Sequence, residues 1–202
     1  MNRAELKTNA KAQIKGKIGI MLLITLIIGA VSAVASWLFG LIPVVGKILG
    51  PAIVAPAFAL STARVALNVA AGCKPSAKDA FCGFNDFWSA IKLNLLTGLY
   101  IFLWSLLLVV PGIIKTFAYS MSTYILAENK GKSARECIKE SKEMTNGYKF
   151  DLFVLGLSFI GWNLLCIVTF GIALIWVLPY MQVTYANAYN LLKSKKAAAV
   201  AE

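Results

Sequence analysis

Apolar residues in this chain come in six blocks of about 15 to 25 residues, parted by short segments rich in lysine, glycine or proline. A helix needs roughly 20 consecutive apolar residues to cross the hydrocarbon core of a bilayer. The blocks therefore predict an all-α polytopic membrane helical bundle. Its spans are Ile18–Ile42, Ile48–Val69, Leu93–Val110, Ile113–Ala127, Phe150–Phe170 and Ile172–Leu192, and 1–202 is one integral membrane domain. Composition agrees: 59% of residues are hydrophobic and 14% charged, against about 25% charged in soluble domains.

Arg3, Lys7, Lys11, Lys15 and Lys17 precede the first block as they would in a secretory signal. The block is longer than the roughly 7 to 15 residues of a signal core, and no small-residue cleavage site ends it, so it reads as a retained span. The net charge of +11 sits in particular segments between blocks, with no nucleic-acid recognition motif beside it. Such clusters set topology beside an anionic leaflet, and nucleic acid is not expected as a partner. The chain has no histidine, and Cys73, Cys82, Cys137 and Cys166 form no CxxC pair. No metal, cofactor or catalytic residue is expected, and the commonest general base is missing. The protein is not read as an enzyme.

Between the spans lie short amphipathic segments. Arg3, Lys7, Lys11 and Lys15 recur every four residues beside a stripe of Leu6, Ala10 and Ile14, predicting a helix along the membrane surface or a solvated leader. Pro43, Gly46, Gly50 and Pro51 turn the chain after the first span. Arg64, near the end of the second, is expected to snorkel to the interface.

From Ser76, residues Ala77, Ala80, Phe81, Phe84, Phe87, Trp88 and Ile91 share a helical face, and Ser76 with Asp79 has the spacing of a capping box. Ser133 and Glu136 repeat that cap before a helix reaching Thr145. The third span should end at Pro111-Gly112, while the fourth, at about 22 Å, is short of the roughly 30 Å core. It must be buried among neighbours, continue past Ala127 or be only partly inserted.

KPSAKDAF (74–81) aligns with GKSARECI (131–138) at an offset of 57 residues, which also sets Lys92 on Lys149 and Asn94 on Asp151. With a two-residue gap AFALS (57–61) aligns with TFAYS (116–120). Two or three parallel repeats are expected, in units of about 1–72, 73–130 and 131–192 before a basic tail at 193–202. Each unit is a surface helix, a span, a turn and a return span. Parallel repeats differ from the inverted pairs that generate alternating access.

Asp151 begins a span and is placed to be stabilised by the helix dipole. Asn163, Gln182 and Thr184 line a possible polar path with it, although interhelical hydrogen bonds account for the same residues.

The segments PGIIKTFAYSMSTYILAEN, SARECIKESKEMTNGYKFDLFVLGLSFIGW and LPYMQVTYANAYNLL resemble a bacterial integral membrane family of Gram-positive organisms, catalogued as domain of unknown function nine-seven-five and loosely similar to YciC-like proteins. The resemblance covers nearly the whole chain. It implies a six-span inner-membrane protein and carries no functional residue with it.

The sequence thus predicts a non-enzymatic interaction or membrane-organising protein. Its partners would be membrane lipids, other proteins or a second copy of itself. The alternative is a small transporter or channel using the polar path of the last two spans. Of the Lys and Arg residues, 17 fall in segments on one side and only Lys47 and Lys115 on the other. Both termini are therefore expected on the cytoplasmic side of the cell membrane.

Overall fold

The computed structural model describes residues 3–40, 45–169, 171 and 173–201, all-α with no strand among them. The expected span ends Ile42, Phe170 and Ile172 and the turn residue Pro43 lie outside the described residues. Four helical stretches are long and apolar enough to cross a membrane: Ile18–Phe39, Ile53–Ala70, Ala77–Leu107 and Lys149–Val168.

Helix α1 (Arg3–Ile14) is a packed element: Leu6, Ala10 and Ile14 are buried. They rest against the C-terminal helix α10 (Leu174–Ala201), where Leu6 joins Ala188, Tyr189 and Leu192. Gly16, at φ +83°, separates α1 from α2 (Ile18–Gly40). Gly147, at φ +80°, likewise separates α7 (Ala134–Met144) from α8 (Lys149–Leu157). Only glycine adopts that left-handed backbone without a steric penalty, so two amphipathic helices are divided from apolar ones in the same way.

Helix α3 (Val45–Ala70) returns beside α2, with Met21 and Ile24 packed on Val65, Ala66 and Val69. The amphipathic segment after it is a 3-10 helix, Ala77–Asp86, which runs directly into α4 (Phe87–Leu107). The third apolar helix therefore begins six residues before the expected Leu93. Its end also differs from expectation. The break falls at Leu108, whose φ of −161° and ψ of 141° are extended, and α5 (Val109–Tyr119) carries Pro111 in its first turn. A first-turn residue has no intrahelical acceptor for its N–H, so proline is tolerated there.

Helix α5 is followed after a bend by α6 (Ser122–Glu128), and Met121, Ile125 and Leu126 are fully buried. In the short fourth block the second half is thus buried among neighbours, while Ile113 and Ile114 in the first half are exposed. Val110, Ile113, Ile114 and Phe117 of α5 line one groove with Phe150 and Phe153 of α8, and the Phe117 and Phe153 rings meet edge to face at 5.5 Å. Six crossings in the expected order would set Val110 and Phe150 on opposite membrane faces, whereas here they are neighbours. The fifth block is also bent, into α8 and α9 (Ile160–Val168), around the buried Phe159. Helix α10 continues through the supposed tail at 193–198.

Leu95, Leu99, Phe102, Leu106 and Leu107 of α4 are exposed, as are Leu26, Val34, Trp37 and Leu38 of α2 and Leu164, Ile167 and Val168 of α9. A water-soluble monomer rarely shows so much contiguous apolar surface. Lipid is the solvent these faces suit.

Candidate functional site

Arg64 is 8% exposed and does not snorkel. A guanidinium withdrawn from water needs its donors satisfied. Nε donates to the Ala127 carbonyl at 3.1 Å, Nη1 to the Cys82 carbonyl at 2.6 Å, and Nη2 pairs with the Asp86 carboxylate. One side chain of α3 thereby joins the end of α6 to the 3-10 helix. Asp86 had no signal in the sequence, because its partner lies 22 residues away on another element.

The same end of the molecule holds further ion pairs. Glu128 accepts from Tyr189 Oη at 2.6 Å and pairs with Lys193 at 2.5 Å, Lys132 pairs with Glu140 at 2.6 Å and Lys196 with Glu143 at 3.0 Å. Helix α7 is capped as expected: Glu136 N–H donates to Ser133 Oγ at 3.3 Å and Ser133 N–H to Glu136 Oε2 at 3.1 Å. At the other cap Ser76 N–H donates to Asp79 Oδ2 at 2.9 Å, and the Ser76 side chain faces Asp79 N–H in the same capping box without a full hydrogen bond. A cleft of about 480 Å³ opens here among Arg64, Asn68, Asp79, Glu128, Lys130 and Asn190. Glu5 and Asp151 also have partners, so each described carboxylate is engaged. Lys11, Lys15, Lys74, Lys78, Lys130, Arg135, Lys139 and Lys142, by contrast, are exposed. The surface charge left over is positive. Burial pushes the Cys137 thiol of α7 up to about 11, which leaves it protonated and inert at neutral pH.

The residues of the expected polar path each have their own surroundings. Asp151 lies in the first turn of α8, Asn163 is exposed on α9, and the Gln182 carbonyl accepts from Tyr124 Oη at 3.5 Å. Thr184 is wholly buried and donates to the Tyr180 carbonyl of its own helix at 2.7 Å.

A family model described as Protein of unknown function (DUF975) matches residues 1–115 and 106–196. The chain belongs to that family. No curated protein and no solved structure matches it.

In this DUF975 protein a second polar locus, absent from the sequence reading, lies between α3, α4, α5 and α6. It is a groove of about 370 Å³ whose polar lining includes Asn94, Thr97, Thr116, Tyr119, Ser120 and Thr123, with no charged side chain. Thr97 Oγ1 is buried there without a hydrogen-bond partner. The signal that could have revealed it is Asn94, Thr97 and Ile101 recurring every three or four residues on one face of α4. Among the described residues no group of three His, Cys, Asp or Glu side chains is placed to hold a metal ion.

Proposed function

We propose that this protein is a multi-pass bacterial membrane protein that acts by interaction rather than catalysis, gathering anionic lipid or an acidic partner at a cytoplasmic basic end. The observation that carries this reading is the uneven use of charge. Each described carboxylate has a partner, in a cap or an ion pair for six of them, while lysines of three segments stay in solvent. A basic surface next to a bilayer attracts anionic headgroups by about 1 kcal/mol per side chain. The ties of the C-terminal helix to α6 and α7 through Lys193 and Lys196, with α1 packed beside that helix, support a reading in which both termini lie on that side.

Affinity capture from native membranes in a gentle detergent tests the proposal. The native chain should retain anionic lipid or one acidic protein, and Arg135→Glu with Lys139→Glu and Lys142→Glu should release it. Equal recovery with the native and the reversed chain rejects the reading.

A further inference from the structure

We infer that the groove between α3 and α4 is a binding site for a bilayer glycerolipid, entered sideways from the membrane, with the uncharged ester region of the lipid held by Asn94 and Thr97. Two of the four stretches long and apolar enough to cross a membrane form its walls, and α4 presents Leu95, Leu99 and Phe102 to lipid on its other side. A molecule already dissolved in the bilayer therefore reaches the groove without crossing water.

The polar chemistry of the lining selects what part of such a molecule fits. Thr116 Oγ1 spends its proton on the Gly112 carbonyl, Ser120 Oγ on the Phe117 carbonyl and Ser122 Oγ on the Tyr119 carbonyl. Those hydroxyls are occupied as donors. Thr97 Oγ1 has no partner, and a buried hydroxyl without one is costly. Asn94 beside it brings an amide with two donors. Free donors in a site without charge suit neutral acceptors such as ester carbonyls better than a phosphate, which would lose its hydration without a cation to replace it. The rest of the wall, Pro56, Leu60, Leu93 and Ile101, suits an acyl chain. The volume lies within the roughly 300 to 1,000 Å³ of small-molecule sites. Gly98 at the rim leaves room: a Cβ added there meets nothing within 4 Å.

The inference requires only that the chain sits in a bilayer, and it is independent of what the basic end binds. Its test uses the full-length protein in nanodiscs of phosphatidylglycerol carrying a photoreactive acyl chain. Adducts should concentrate on peptides from α4 and from α5 and α6 lining the groove. Thr97→Val should lower groove adducts several-fold while leaving those on α2 unchanged. Gly98→Leu, which fills the groove from open space, should nearly abolish them. Replacing the ester-linked lipid by its diether analogue should act like Thr97→Val. Adducts spread evenly over the exposed faces of α2 and α4, unmoved by Gly98→Leu, overturn the inference. So does an Asn94→Cys chain that crosslinks to a second copy in place of labelling, since the groove is then a protein interface.

Discussion

The backbone N–H of Gly83 donates to Ser61 Oγ at 2.9 Å, so the 3-10 helix rests on α3 with no side chain of its own between them. A Cβ at residue 83 would stand 2.0 Å from the Ala57 carbonyl oxygen and 2.9 Å from Ser61 N. Backbone atoms cannot swing aside, and the two elements must part. Overpacking of this kind costs about 1–3 kcal/mol, whereas Gly to Ala in an unhindered helix gains up to about 1 kcal/mol. Thermal unfolding in detergent should show a lower midpoint for Gly83→Ala and no loss for Gly98→Ala.

Arg64 and Asp86 form the most buried ion pair described. Removing one partner leaves a charge without compensation, which costs about 3–5 kcal/mol in a fully buried pair and less here because the Asp86 side chain is 19% exposed. Arg64→Ala should therefore unfold at lower temperature than any exposed-lysine variant. Arg64→Lys should fail to restore it, because an ammonium cannot span the Asp86, Cys82 and Ala127 acceptors together. A wild-type midpoint for Arg64→Lys would show that charge alone suffices.

The two caps should respond differently to mutation. Ser133→Ala removes a hydroxyl that accepts from Glu136 N–H and should cost about 0.5–2 kcal/mol. Ser76→Ala should cost less, because its hydroxyl makes no such bond, while Asp79→Ala removes the acceptor of Ser76 N–H. Hydrogen exchange over 77–86 and 134–144 in each variant measures the fraying directly.

Thiol labelling reads topology through Cys73, which is exposed, and not through Cys137, which is buried. Helix α3 separates residue 47 from residue 73. In intact cells an impermeant maleimide should label Lys47→Cys and leave Cys73 untouched, and permeabilised cells should label both. Labelling of Cys73 in intact cells places the basic end outside.

The tie of the last turns of the C-terminal helix to α7 should be acid-labile. Its hydrogen bond from Lys196 holds the Glu143 carboxyl below the ordinary value of 4.5. A depressed carboxylate contributes attachment that is complete above the ordinary value and is lost as pH falls through the lower, folded one. A nitroxide at Ala197→Cys should keep constant mobility from pH 7 to about 5 and loosen only below about 4.5. Glu143→Gln should show the acid mobility already at pH 7, with α10 still held by Lys193 on Glu128 and by the buried Tyr189 and Leu192.

What the sequence determined by itself was whatever is written within a turn or two of the chain. Apolar blocks specify helix and lipid, Ser133 and Glu136 specify where α7 begins, and the Leu6, Ala10 and Ile14 stripe specifies which face of α1 is apolar. Only the tertiary structure decided which faces meet. The apolar blocks are chemically alike and record no partner, so neither the pairing of Arg64 with Asp86 nor the contact of α5 with α8 could be read from them. Leu108 shows the same limit at one residue: Pro111-Gly112 is the stronger local breaker, yet proline fits the first turn of α5 and the chain breaks before it. The reason for Gly83, the backbone of Ala57 and Ser61, likewise lies on another element. Thr97 was one polar residue among many until packing withdrew it from every partner, since an unmet hydrogen bond exists only once the neighbours are in place.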